Sequence, residues 1–422
     1  MRNSQKIRRF EEFLKRLMTI QFALRYIFSK KSTQAINVLS RISMVGMGGG
    51  AMALIVILSI FNGFENLVVS LYNAFQPSIK IDLKEGKYFS SERINTTELY
   101  KMKGVIAISK TIEENAYFKY GEKESIGTIK GVDQAFLQVT QLDSFIVYGN
   151  GQLTDGEHDY AIVGAGIDAA LNVETDEGYK QIGVYLPKKN ASLTNLPQDA
   201  FNSSYLIPSG IFSIQQEFDE KYIIAPLAFV QYLAEIDENQ ITSIEIKTTP
   251  ESSDEIQSIL EKKYGNQFKI RNRIQQNETL YRIMKIERWA VFAILSFVLL
   301  IISFNILGSL SMLVIEKKKD ISILKAMGAQ NHQIKKIFIA EGLMQSMIGA
   351  LVGVAIGCII CLLQQYFGFV KLGGSGTFVI DAYPVDIQIL DIFLVFVIIT
   401  SISFIASIYP AIKASKQSIQ FN

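Results

Sequence analysis

The chain has 422 residues, with 42 Lys and Arg against 40 Asp and Glu, a formal charge of +2, two cysteines and two histidines. Its mean hydropathy is +0.22 although 19% of its residues are charged, so apolar and charged residues must be segregated along the chain rather than mixed as in a soluble domain. The near-balanced charge gives no support for nucleic-acid binding, two cysteines supply no disulfide framework, and His158 and His332 stand far apart with no nucleophile and base beside each other.

Residues 1–41 hold ten Lys and Arg against two acids. Among them Phe10, Phe13, Leu14, Leu17, Ala23, Leu24 and Ile27 recur at helical spacing between Arg8, Arg9, Lys15, Arg16 and Arg25, which predicts an amphipathic helix lying in a membrane interface. The first charge-free apolar run follows at Ile42–Phe64. It begins too far into the chain, and is too long, for the apolar core of a signal peptide, so it is expected to stay as an anchor. Three more such runs lie at Trp289–Ile315, Gly342–Val370 and Ile392–Ile412. At 1.5 Å per residue each covers the roughly 30 Å of a bilayer core with every backbone group paired inside the segment.

The intervening charges orient these spans. The segment Glu316–Glu341 carries six lysines against three acids, and the tail after Ile412 carries only Lys413 and Lys416. Together with residues 1–41 they form a basic set, about +13, expected in the cytoplasm. Lys371–Asp391 and Glu65–Arg288 together come to about −11 and are expected outside.

Within the first span Gly46, Gly48, Gly49 and Gly50 lack the Gly-Lys-Ser/Thr ending of a phosphate-binding loop, and so does Gly164-Ala165-Gly166 further on. Gly46 and Gly50, four apart, have the spacing that lets another helix approach closely. Gly164 and Gly166 follow Ala161-Ile162-Val163 and read as a tight strand-to-helix turn.

The long polar middle reads as α+β. Ser78–Leu83, Val105–Ser109, Ile112–Tyr120, Ser125–Val132, Gln181–Leu186, Tyr205–Ile214, Tyr222–Ile224, Ile241–Thr248 and Phe268–Ile274 have strand character, and Pro250–Tyr264 reads as a helix stopped by Gly265. Between Pro187 and Ser204 turn formers break the pattern, as in a long loop or a functional excursion. Glu278–Arg288 is helical in pattern and leads into the second span as a stalk. In Glu316–Glu341, the residues Ile321, Leu324 and Met327 form a short apolar stripe among lysines, ending at Gly328, while Ile334, Ile337 and Phe338 face away from Lys335 and Lys336. The stripe predicts docking into a partner's groove. Cys358 and Cys361, inside the third span, read as small buried apolar residues.

Four spans with a large insert after the first, together with Val314-Ile315-Glu316-Lys317 and Ile323-Leu324-Lys325-Ala326-Met327-Gly328-Ala329, resemble the FtsX/MacB-type ABC permeases. Phe22-Ala23-Leu24-Arg25-Tyr26, Ile42-Ser43, Ala53 through Asn62-Gly63-Phe64-Glu65, and Tyr409-Pro410-Ala411 with Ala414 are similar to the Lol lipoprotein-releasing permeases. The resemblance implies an α-helical membrane protein with four transmembrane helices (1+3) and a large α+β extracytoplasmic domain, Porter-like over 65–140 and 241–288 and Sabre-like over 141–240. The remaining parts are then an N-terminal segment 1–41, helices 42–64, 289–315, 342–370 and 392–412, a coupling loop 316–341, a short periplasmic loop 371–391 and a tail 413–422.

It implies lipoprotein release from a bacterial inner membrane. The expected partners are a separate ABC ATPase in two copies, a second permease chain of the same or another kind, the lipoprotein, membrane lipid and a periplasmic lipoprotein carrier. This chain is expected to bind no cofactor of its own and to do no covalent chemistry, with ATP and magnesium on the ATPase. The residues implied are Glu316, Lys317, Ile321, Leu324, Lys325, Met327 and Gly328 for ATPase coupling, and Leu193, Thr194, Leu196 and Pro197 for a carrier-binding hook. Gly46, Gly50, Asn62, Phe64, Trp289 and Phe292 are expected at helix packing and a lipid cavity. A MacB-type permease driving peptide or drug export, and an FtsX-like regulator of cell-wall hydrolases, are the alternatives on the same scaffold.

Overall fold

The computed structural model describes residues 34–175, 180–188, 200–371 and 382–417. They fall into two compact units. One holds 34–65, 283–371 and 382–417, the other 66–282. The expected interfacial helix before residue 34, and the hook residues Leu193, Thr194, Leu196 and Pro197, lie outside the described residues.

The first unit is built of long helices: α1 (Gln34–Phe75), which continues into the second unit, α5 (Glu278–Glu316), which begins there, α6 (Lys318–Ala326), α7 (Asn331–Phe367) and α8 (Ile389–Ser415). The four longest are each long and apolar enough to cross a membrane. Three of them run past their charge-free stretches at both ends, and α7 does so at its start but stops at Phe367, before Val370, where Gly368 takes the left-handed conformation; the absence of charge marks the part of a helix fit for hydrocarbon and not where its hydrogen bonding stops. Met47, Ala51, Leu54, Ile55 and Leu58 of α1 are buried with Leu299, Ile306 and Leu310 of α5, Ala350 and Val354 of α7, and Val395 and Ile399 of α8. Helices α1 and α7 meet backbone to backbone. A Cβ on Gly48 would stand 2.9 Å from the carbonyl oxygen of Gly349, and one on Gly353 would run into the carbonyl of Gly48. Cys358 is half-buried and Cys361 buried, both as free thiols in α7.

The second unit is an α+β domain. Its strands are β1 (Ile79–Leu83), β2 (Phe89–Ser90), β3 (Val105–Tyr120), β4 (Lys123–Val132), β5 (Ile146–Gly149), β6 (Tyr160–Gly164), β7 (Ile182–Pro187), β8 (Phe201–Phe212), β9 (Tyr222–Pro226), β10 (Gln240–Ile241), β11 (Ser243–Thr248) and β12 (Phe268–Asn272). Among the described residues ten of them form one mixed sheet in the order β12-β1-β11-β3-β4-β9-β6-β8-β5, with β7 bridging β3 and β8. Helices α2 (Ala165–Leu171), α3 (Leu227–Leu233) and α4 (Ser253–Tyr264) pack on it, and Ile167, Phe229, Val230, Ile256 and Leu260 are buried there with Ile79, Ile81, Ile112, Phe118, Ile129 and Ile244.

Strand β3 runs through Ser109-Lys110-Thr111, where the sequence suggests a break. The Ser109 hydroxyl donates to Asp133 at 2.7 Å and the Thr111 hydroxyl lies 2.7 Å from that of Ser243, so the polar residues are satisfied inside the sheet. Gly164 closes β6 and α2 starts at the next residue, as the glycine pair predicts. Helix α3 was not legible, because it continues the apolar run of β9 past Pro226 and periodicity cannot separate strand from helix in so short a stretch.

Two features of this domain stand where α1 ends and α5 begins. Gln76 and Asn277 exchange amide hydrogen bonds of 3.1 and 2.5 Å, and Gln276 donates to the Pro77 carbonyl at 3.3 Å. Beside them Lys80 and Lys130 alternate with Glu113 and Glu245. The four line a cavity of about 100 Å³ together with Phe75, Tyr222 and Arg271.

Candidate functional site

Two ends of the helical unit concentrate polar side chains that a membrane helix would otherwise exclude. The first is at α6. Helix α5 stops at Glu316, Lys317 leaves helical geometry, and α6 begins at Lys318. The break turns α6 so that Ile321 is buried with Leu313, Val314, Ile334 and Phe338. Lys325 donates to the carbonyls of Ser415 and Gln417 at 2.8 and 2.5 Å, capping the end of α8 where orphan carbonyls and the helix dipole favour a cation. Lys317 pairs with Asp320 at 3.5 Å, and Gly328, at φ +90°, ends the segment in a conformation that suits glycine.

The predicted coupling residues therefore lie on one short helix, Ile321, Leu324 and Lys325, and at its two ends, Glu316, Lys317, Met327 and Gly328, but do different things. Ile321 and Lys325 fasten it to its own chain, Leu324 is half-buried, and Met327 is 79% exposed. Ile323, which the sequence reading passed over, is 59% exposed and four residues before Met327. These two present the apolar outward surface of α6. The pattern hid this because Ile321, Ile323 and Leu324 are all apolar, and only the break at Lys317 decides which faces in.

The second place is some 28 residues back along α5, about 42 Å of helix, where three helices meet. The Asn62 side chain of α1 donates to Asp391 of α8 at 2.6 Å and to the Asp386 carbonyl at 3.4 Å. Arg288 of α5 reaches the other oxygen of Asp391 at 3.0 Å and stands 3.8 Å from Glu65 of α1. The backbone joins in: the Asp386 amide donates to the Ser59 carbonyl at 2.9 Å, and a Cβ on Gly63 would come within 2.5 Å of Pro384. The Asn-Gly-Phe-Glu stretch thus has a physical meaning, a buried donor, a close approach and a carboxylate on one turn of α1. Asp391 and Arg288 complete it, and neither stood out in the sequence, since both read as charges that merely flank a span.

The residues expected at helix packing and a lipid cavity do not form one site. Gly46 and Gly50 lie against α5, where an added Cβ would be 3.1 Å from Ile302 and 2.5 Å from Leu299. Gly46 also lines an apolar groove of about 420 Å³ with Val38, Ile42, Val45 and Ile302. Asn62 is about 24 Å further along α1. Phe64 is exposed next to it, and Trp289, also exposed, stacks edge-on with Phe292 at 5.6 Å.

Residues 292–419 match the FtsX-like permease C-terminal family. Along nearly its whole length the chain is similar to the lipoprotein-releasing system transmembrane protein LolE of Haemophilus influenzae, with 27% identity covering 93% of this chain and 95% of the relative. It is likewise similar to LolC proteins of the same system from Neisseria meningitidis serogroup B, 25% identical over 93% and 95%, and from Buchnera aphidicola subsp. Schizaphis graminum, 28% over 95% and 98%. Of solved structures, the periplasmic region of MacB from Actinobacillus actinomycetemcomitans aligns to 51% of this chain and 98% of its own at 15% identity and a TM-score of 0.36. The chain is therefore similar over nearly its whole length to proteins named as transmembrane proteins of the lipoprotein-releasing system, and its residues 292–419 match the FtsX-like permease C-terminal family.

Proposed function

We propose that this protein is the transmembrane permease subunit of an ABC transporter that releases lipoproteins from a bacterial inner membrane to a periplasmic carrier. The observation that carries the reading is similarity to LolE and LolC over more than nine-tenths of the chain, covering both the helices and the α+β domain. In this reading the helices cross the membrane in a 1+3 arrangement with both termini in the cytoplasm. The domain between the first and second is periplasmic, divided into Porter-like and Sabre-like parts. The asymmetry of basic and acidic segments supports that orientation.

Moving three acyl chains into water at about 0.8 kcal/mol per CH₂ costs on the order of 30 kcal/mol, beyond the roughly 20 kcal/mol that any noncovalent site supplies. Binding alone cannot release such a cargo, so the work must come from a motor. We assign the motor to a separate ATPase in two copies, carrying ATP and magnesium, with a second permease chain completing the complex. Glu316, Lys317, Leu324, Met327 and Gly328 would meet the ATPase, joined by Ile323, while Ile321 and Lys325 hold α6 to the helices so that it moves with them. The carrier would be recruited by Leu193, Thr194, Leu196 and Pro197. Phe64, Trp289 and Phe292 would face membrane lipid and the cargo's acyl chains.

Depletion of the protein in cells tests the reading. Lipoproteins destined elsewhere are expected to accumulate in the inner membrane; normal sorting would reject lipoprotein release and favour a permease of the peptide- or drug-exporting kind.

A further inference from the structure

Asn62, Glu65, Arg288 and Asp391 are not equivalent in how they tie their helices together. The α1 to α8 tie is rigid: a buried 2.6 Å bond from Asn62 to Asp391, a backbone bond from Asp386 to Ser59, and the close seat of Gly63 on Pro384. Breaking it would strand buried polar groups, among them a carboxylate that is almost fully covered. At this level α5 is tied to the other two helices through the Arg288 side chain. That side chain stands between two carboxylates, at 3.0 Å from Asp391 and 3.8 Å from Glu65, and is itself 32% exposed. A guanidinium fork on a long flexible stem can trade one carboxylate for another with little loss, whereas the short Asn62 amide cannot follow its partner.

We propose that Arg288 is a two-position catch: α1 and the segment leading into α8 move as one piece, and α5 shifts beside them as Arg288 passes from Asp391, the nearer of its two carboxylates in this structure at 3.0 Å, to a close pairing with Glu65, now 3.8 Å away. The proposal rests on the reading that α6 and the helices it is fastened to move together under an ATPase, applies it to α5, which leads directly into α6, and gives that movement a defined pair of stopping points. Asp391 and Arg288 are positioning residues here; neither touches cargo.

Two measurements test it, one without any ATPase or cargo. In the full chain in lipid nanodiscs, with Cys358→Ala and Cys361→Ala, spin labels are placed at Ile283→Cys on α5 and Ile389→Cys at the start of α8. Asp391→Asn keeps an acceptor for Asn62 but discharges the first position. It should shift the label separation to longer distances, while Glu65→Gln should narrow it to the shorter ones. Identical distributions in both variants and in the parent would overturn the catch. In the complex copurified with its native ATPase, Glu65→Gln should lower ATP turnover about fivefold, ~1 kcal/mol on the barrier, with an unchanged melting midpoint. A purely structural surface pair would leave turnover unchanged, and that result would also overturn it. Lipoprotein sorting enters neither measurement, so the catch and the cargo assignment fail separately.

Discussion

Lys130 and Glu245 are both almost completely covered inside the α+β unit, and their 2.7 Å contact is surrounded by Lys80, Glu113 and the rings of Phe75 and Phe136. Nothing in the sequence marks them. In a strand with one wet face, Lys130 and Glu245 would be outward residues alternating with Ile129, Ile244 and Ile246. Here β11 and the second half of β4, from Thr128 to Val132, are covered on both faces, so alternation carries no information. Removing one charge from such a cluster leaves the others uncompensated. Lys130→Met is therefore expected to destabilise the domain by about 3–5 kcal/mol, and adding Glu245→Met should recover much of that loss. Protease resistance of residues 66–282 in the full chain measures both; equal sensitivity of the single and double variants would show that the charges do not act as a unit.

The same cluster sets a pH range. Burial alone would raise the Glu113 carboxyl, but Lys80 and Lys130 outweigh it and hold it well below the usual carboxylate range. Burial would lower Lys80, but Glu113 and Glu245 prevail and raise it. A carboxyl depressed on folding contributes stability above its unfolded value, about 4.3, and loses it as pH falls further. A raised lysine contributes below about 10.4 and loses that as pH rises through its folded value. Domain stability should accordingly be flat across the neutral range and fall at both extremes. A fall beginning near pH 6 would mean that another group controls it.

At the scale of elements, the sequence conveyed which segments were helices better than which of their faces mattered. The glycines of α1 illustrate this. Gly46 and Gly50 were singled out by their spacing and do lie against α5, yet the backbone contact with α7 falls to Gly48. Only the partner's glycines, Gly349 and Gly353, reveal it, and they lie some 300 residues away. Gly353→Val should therefore disrupt the packing of α7 on α1 and reduce the folded yield in membranes. Gly49→Ala, where an added Cβ meets nothing, should not. Equal yields from the two would place the close contact elsewhere. Helix α6 makes the same point in energetic terms. Its apolar stripe was legible, but the division between anchoring and presenting residues depends on the break at Lys317. Ile323→Asp with Met327→Asp is expected to abolish copurification of the ATPase while leaving Ile321 in its core. Lys325→Met should only loosen α6, by about 1 kcal/mol for the lost caps. Retention of the ATPase by the double variant would remove α6 from the coupling surface.

For the molecule as a whole, what a sequence conveys most clearly is where charge is excluded, and four such stretches were enough to locate four helices fit for a membrane. It conveys less about where those helices end. Charge returns at Glu65, but α1 runs on to Phe75 because Leu67, Leu71, Tyr72 and Phe75 have a core of their own, with Phe136, Phe212 and Phe218, to bury against. The proposed placement of the polar domain outside and α6 inside rests on a different quantity, the asymmetry of basic and acidic segments, which acts during insertion and leaves no contact to inspect. It makes a prediction of its own. With the native cysteines replaced, a cysteine at Ile126, 77% exposed on β4, should react with an impermeant thiol reagent in cells whose outer membrane alone is permeabilised. A cysteine at Met327 on α6 should react only after the inner membrane is opened as well. The reverse order would invert the whole arrangement, put Met327 out of reach of any cytoplasmic motor, and so remove the route by which ATP hydrolysis could drive the helices.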